Sequence, residues 1–186
     1  QVTTHAIGDR ANYLVTEWYA EAMSQLEPEE ARARRWRIEH AQIVRPEDIP
    51  AFGPLSITAS MQPSHAIGDL KFAPARLGDE RLHGAYAWKS FVDEDILVVG
   101  GSDAPVEQGD PRIEIFAATR REALDGFKAE NWHPEEALGQ DDAIAIFTTN
   151  AARAVFMENK LGQLEPGYYA DITVFTGNPF SGAWDA

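Results

Sequence analysis

A chain of 186 residues that is 44% hydrophobic and 25% charged is long enough for one domain with a sizeable core. Its 30 acidic against 16 basic side chains leave a formal net charge of −14, which argues against nucleic acid or an anionic membrane as partner, since no basic run is present to neutralise phosphates. Cysteine is absent, which excludes disulfides and thiol chemistry. No apolar stretch is long enough to span a bilayer and no secretory signal pattern is visible, so a cytoplasmic location is the expectation.

In chain order, Gln1-Val2-Thr3-Thr4-His5 has the β-branched content of a strand. Ala11, Leu14, Val15, Trp18, Ala22 and Leu26 then recur at helical spacing until Pro28, with Asp9 placed at the helix start. Trp36–Ile43 reads as a short strand ending in a Glu39-His40 pair, and Pro46 with Glu47 and Asp48 opens a brief helix reaching about Phe52. Ser56–Met61 alternates apolar and small polar residues as a strand does, and Pro63 stops further ladder bonding. A loop containing Gly68, Pro74 and Gly78 leads to a helix over 79–92. The run Ile96-Leu97-Val98-Val99 is apolar throughout, the pattern of a strand covered on both faces, and it ends at Gly100-Gly101-Ser102-Asp103. Pro111–Leu124 reads as a helix, 126–139 as an acidic surface loop, Asp141–Met157 as a helix, and Ala170–Phe175 as a final strand. No internal repeat or low-complexity segment is present.

Strands alternating with helices imply an α/β fold with a parallel sheet and right-handed crossovers. There are about four such βα units, half of what a closed (β/α)8 barrel of ~250 residues needs. In parallel α/β folds chemistry collects at the carboxyl ends of strands, and His5, His40, His65 and Asp103 each follow a predicted strand. Imidazoles and a carboxylate are what Zn²⁺ or a similar first-row ion prefers. Water on such an ion has its pKa lowered to about 7, and a bordering carboxylate can carry protons between nucleophile and leaving group. Taken singly, each has a plainer reading: a strand-end histidine as a hydrogen-bonded loop residue, Asp103 as a turn or helix-cap residue. Glu39 should point away from His40 by strand alternation and so serve as a supporting or core group. His83 and His133 read as structural, and Arg81 could reach over the site.

The residues then form a pattern. His-Ala-Ile-Gly-Asp-Arg-Ala (5–11), Arg-Ile-Glu-His-Ala-Gln (37–42), Ser-Met-Gln-Pro-Ser-His (60–65), Gly-Ser-Asp-Ala-Pro-Val (101–106) and Asn-Ala-Ala-Arg-Ala (150–154) precede Gly-Gln-Leu-Glu-Pro-Gly-Tyr-Tyr-Ala-Asp-Ile-Thr-Val-Phe (162–175). Together they resemble the C-terminal half of a metal-dependent amidohydrolase, in the branch similar to N-substituted formamide deformylase, some members of which are labelled exoenzyme regulatory protein. The resemblance covers essentially the whole chain.

It implies that residues 1–158 form half of a (β/α)8 TIM-type barrel and that 159–186 contribute a β tail to a composite β-sandwich. It implies His5 and His40 as metal ligands, Asp103 as the aspartate that binds the metal and orients water, and His65 at the substrate, where Arg81 is also expected from its own position. The expected cofactor is one or two divalent ions, zinc foremost, and the expected substrate a small amide or cyclic amide. The His-x-His pair and the further ligand that such enzymes carry earlier have no counterpart here. The chain is therefore expected to be a fragment, inactive alone, of a parent that hydrolyses C–N bonds. Loops 63–79 and 107–112 are expected to set substrate choice. The alternative is a non-catalytic regulatory or interaction module, self-associating through open sheet edges. A complete flavodoxin-like sheet is disfavoured because no Gly-rich phosphate loop follows the first strand.

Overall fold

A computed structural model describes residues 1–178 and 180. Its centre is a parallel sheet of four strands in sequential order, β1 (Thr3–Ala6), β2 (Arg37–His40), β3 (Thr58–Met61) and β4 (Val98–Gly100). The register pairs His5 with Glu39, Glu39 with Ser60, and Ser60 with Val99. These residues share one face of the sheet. Alternation sends Ile38, Ala59, Met61 and Val98 to the other face, where each is almost wholly buried.

The helices that cover this second face begin with α1 (Asp9–Met23), whose Tyr19 hydroxyl donates to the Arg37 carbonyl at 2.8 Å and lies 2.7 Å from Thr4 Oγ1, from which it can accept. After α2 (Pro28–Ala33), a 3-10 helix spans Pro46–Phe52, where the sequence places a brief helix. Phe52 packs edge-on to Phe91 of α6 (Trp88–Asp93) in the core. Beyond β4 come α7 (Pro111–Arg120), α8 (Gln140–Ala145) and α9 (Thr149–Ala154). Asn150 ties α9 to the sheet by donating to the Val98 carbonyl at 3.0 Å.

Four departures from the sequence reading have physical causes. The expected loop after β3 contains α3 (Pro63–Asp69) and α4 (Ala73–Leu77), because Pro63 and Pro74 sit in first turns, where a missing N–H costs nothing. The helix expected over 79–92 is instead α5 (Asp79–Leu82) and α6, separated by a staple: Val44 N–H donates to the Gly84 carbonyl, Ile43 bridges Ala85, and Tyr86 N–H donates to the Gln42 carbonyl at 2.7 Å. The helix expected over 141–157 breaks at Ile146–Thr148, where Gly100 N–H bonds the Ile146 carbonyl and the Phe147 ring fills the space a Cβ at Gly100 would need.

The fourth departure is the tail. The strand expected at 170–175 does not form, and Ile172 and Val174 are 63% and 85% exposed. A strand needs a partner edge for its ladder bonds, and no described residue supplies one. Pro179 and residues 181–186 of the tail lie outside the described residues. No helix among the described residues is long and apolar enough to cross a membrane.

One buried side chain fastens the strand ends. Asn12 Nδ2 lies within hydrogen-bonding distance of the carbonyls of Ile43 and Gly8 (both 3.0 Å), Ile7 (3.2 Å) and Ala6 (3.3 Å), which joins the loops leaving β1 and β2. Asn12→Ala should cost about 1–3 kcal/mol, because buried acceptors lose their donor. Chemical denaturation measures the loss, and an unchanged midpoint would remove Asn12 from this role.

Candidate metal centre

Four imidazole or carboxylate side chains gather where the strands end. His40 closes β2, and simple alternation would turn it with Ile38 toward the helices. Instead His40 and Ala41 adopt left-handed backbone (φ 75° and 43°), and the His40 ring stands edge-on to His5 with centroids 4.5 Å apart. On its other side His40 stacks on His65, 5.7 Å away and 15° from parallel. His65 comes from the first turn of α3, which Pro63 starts immediately after β3. Asp103 follows Gly100-Gly101 in a left-handed conformation (φ 55°) and places Oδ2 4.0 Å from His65 Nε2. Glu107 Oε1 is 3.8 Å from the same nitrogen.

The donor set fits a cation. His40, His65 and Asp103 each offer one ligand atom, all within 4.8 Å of one another. His40 Nδ1 and His65 Nε2 are buried with no hydrogen-bond partner, and such orphaned groups are costly unless something binds them. Burial, followed by the neighbouring His5, holds the His40 imidazole below its ordinary pKa, against an opposing pull from Asp103. That direction favours the neutral imidazole, the form in which histidine binds a metal. Two imidazoles and a carboxylate suit a divalent first-row ion.

The structure brings four of the five sequence-singled residues together. His5 is beside His40 rather than in the tight group of three, and His65 is within it, although the sequence pattern suggests the reverse roles. Arg81 is outside that group and is held at the start of α1, where its Nε donates to Asp9 Oδ2 at 2.8 Å. Glu39 turns away from His40, accepting from Thr3 Oγ1 at 2.7 Å and from Arg37 Nε at 3.0 Å. His83 and His133 form a separate pair, with centroids 4.5 Å apart and His133 Nδ1 2.6 Å from Glu135. Glu107 and the buried Glu114 escaped the sequence reading, since carboxylates in a loop and on a helix carry no signal beyond surface charge.

The amidohydrolase family model matches residues 1–182. The chain belongs to the amidohydrolase family. It is 37% identical over its full length to Protein LONG AFTER FAR-RED 3 of Arabidopsis thaliana, covering 30% of that protein. It is 33% identical over 181 residues, 97% of the chain, to the putative amidohydrolase YtcJ of Bacillus subtilis, covering 33% of it. An uncharacterized metal-dependent hydrolase from Pyrococcus horikoshii matches 97% of this amidohydrolase chain and 35% of its own, with a TM-score of 0.80 and 28% identity. The chain thus spans about a third of the length of the curated relatives it matches.

Proposed function

We propose that this amidohydrolase chain carries the C-terminal half of a (β/α)8 barrel from a metal-dependent hydrolase of non-peptide amide or cyclic amide C–N bonds. The observation that carries this reading is the grouping of His40, His65 and Asp103 at the carboxyl ends of β2, β3 and β4. The family match and the likeness to a metal-dependent hydrolase support it, and the motif resemblance to N-substituted formamide deformylases supports the C–N bond. His40, His65 and Asp103, with His5 adjoining, would hold one or two divalent ions, zinc foremost. When bound, such an ion supplies Lewis acidity toward a carbonyl oxygen and makes water a better nucleophile.

The chain's own residues divide the remaining work. The buried His40 and the largely covered His65 orient the centre. Asp103 is half-exposed, and its carboxylate takes the proton from water and returns it to the departing nitrogen. The C–N bond breaks as the C–O bond forms, leaving a carboxylate and an amine. Residues 159–186 would belong to a β-sandwich completed by segments outside this chain, which accounts for the exposed Ile172 and Val174. The rest of the barrel is then required for activity, and this chain alone turns over little substrate.

Titrating zinc into chelator-treated protein tests the reading. Binding near one equivalent is expected, and His40→Ala should weaken it at least as much as the ~10–100-fold seen when an outer-shell partner of a metal ligand is lost. Affinity should fall at acid pH as the imidazoles protonate. No zinc uptake by the chain or by the full-length protein would sink the hydrolase and favour an interaction module, for which the outer edge of the single-neighbour strand β1 offers a pairing surface.

A further inference from the structure

The helix that brings His65 to the metal centre is fastened at both ends. In its first turn the Ser64 N–H donates to the Glu114 carboxylate of α7 at 2.9 Å. In its last turn Asp69 Oδ2 accepts from the Tyr86 hydroxyl at 2.6 Å and from Gln42 Nε2 at 3.0 Å. His65 and Asp69 stand one turn apart on the same side of α3.

The two donors to Asp69 belong to the two halves of the staple. Gln42 follows His40 and Ala41 in the loop leaving β2, Tyr86 lies between α5 and α6, and the Tyr86 N–H bonds the Gln42 carbonyl at 2.7 Å. One carboxylate oxygen therefore ties together the helix that carries His65, the loop that follows His40 and the α5–α6 connection. Tyr86 is 2% exposed. Burial, followed by the charge of Asp69, raises its phenol above the ordinary value, so the hydroxyl stays a donor. Its carbonyl accepts from Nη1 of the buried Arg121 at 2.7 Å, which fixes the other side of the residue. His40, Ala41 and Tyr86 all have left-handed backbone, with φ of 75°, 43° and 53°. Residues with a side chain keep that conformation only where their surroundings hold them in it.

His40 Nδ1 and His65 Nε2 have no hydrogen-bond partner to aim them. The stacking of the two rings, 5.7 Å apart and 15° from parallel, is then set by packing and by the backbones that carry them. We propose that Asp69 is a positioning residue of the metal centre: by gripping Gln42 and Tyr86 it fixes the separation at which His40 and His65 face one divalent ion. The proposal rests on the hydrolase reading above and adds to it a residue outside the group of three donors. Both partners of Asp69 are neutral donors, so the role calls for an acceptor oxygen at that place more than for a negative charge.

Zinc binding, the visible bands of the Co²⁺-loaded chain and the imidazole NMR resonances of the metal-free chain test this together. Asp69→Ala should weaken zinc binding by about 10–100-fold, the range for losing a group that orients a metal ligand, and should alter the Co²⁺ bands. Asp69→Asn, which keeps an acceptor oxygen, should restore most of both, and Tyr86→Phe should shift them in the direction of the alanine variant. Without metal, Asp69→Ala should move the His40 and His65 resonances together. Phe91→Leu is the control for a plain loss of stability. Phe91 is buried against Phe52, and their carbonyls accept from Ile96 and Ile57 just ahead of β4 and β3, at the end of the sheet away from the metal centre. It should lower the denaturation midpoint and leave metal affinity and Co²⁺ bands alone. Parental zinc affinity in Asp69→Ala, a loss that Phe91→Leu reproduces, or no rescue by asparagine would overturn the positioning role. If the parent chain takes up no zinc, the hydrolase reading falls, and the metal-free resonances decide alone: unmoved in Asp69→Ala they overturn the role of Asp69, and moved they uphold it.

Discussion

Replacing Asp103 with asparagine in the full-length protein should lower turnover by about 10²–10⁴-fold, the usual contribution of a positioned acid–base group. The reason lies in what asparagine keeps and what it loses. Its amide oxygen still faces the centre and His40 and His65 remain, so metal content should stay near that of the parent. What disappears is the carboxylate that accepts the water proton and passes it to nitrogen. The effect should therefore appear in kcat far more than in KM. Steady-state kinetics with metal analysis on the same preparations decides it: full turnover in the variant would end the proton-transfer role, and loss of metal together with activity would make Asp103 chiefly a ligand.

The largest loss of stability is expected at Gly84. A Cβ there would lie 1.9 Å from the Val44 carbonyl oxygen and 2.7 Å from its carbon. Both are backbone atoms, and both belong to the staple in which Val44 N–H bonds the Gly84 carbonyl. No rotamer change relieves that contact; the loop leaving β2 must move away from the loop between α5 and α6. Gly84→Ala should cost about 3 kcal/mol or more, the upper range for overpacking, which lowers Tm by about 6–12 °C for a chain of this size. Gly68→Ala is the control, since nothing lies within 4 Å of a Cβ there and the position is helical. It should be neutral or slightly stabilising. An unaltered Tm for Gly84→Ala would show that the staple yields easily.

The departures between sequence and structure share a cause. Helical spacing over 79–92 is real, yet it cannot register that Ala85 and Tyr86 bond the exit loop of β2, because the partners Gln42, Ile43 and Val44 lie some forty residues earlier. The α3 and α4 helices are too short for periodicity to stand out from a loop. The tail has the composition of a strand, and composition does not bring it an edge to pair with. That Glu107 and Glu114 line one cavity became visible only once α3 and α7 were packed together.

What the linear order of residues determined by itself is the alternation of strand and helix, hence a parallel sheet, and the rule that puts His5, His40, His65 and Asp103 at one end of it. These follow from local periodicity and from the direction every parallel strand shares. Only the tertiary structure decided which three donors come within 4.8 Å. That depends on the left-handed backbone at His40 and Asp103 and on the close approach of separate loops, and neither is written in the spacing of side chains along the polymer.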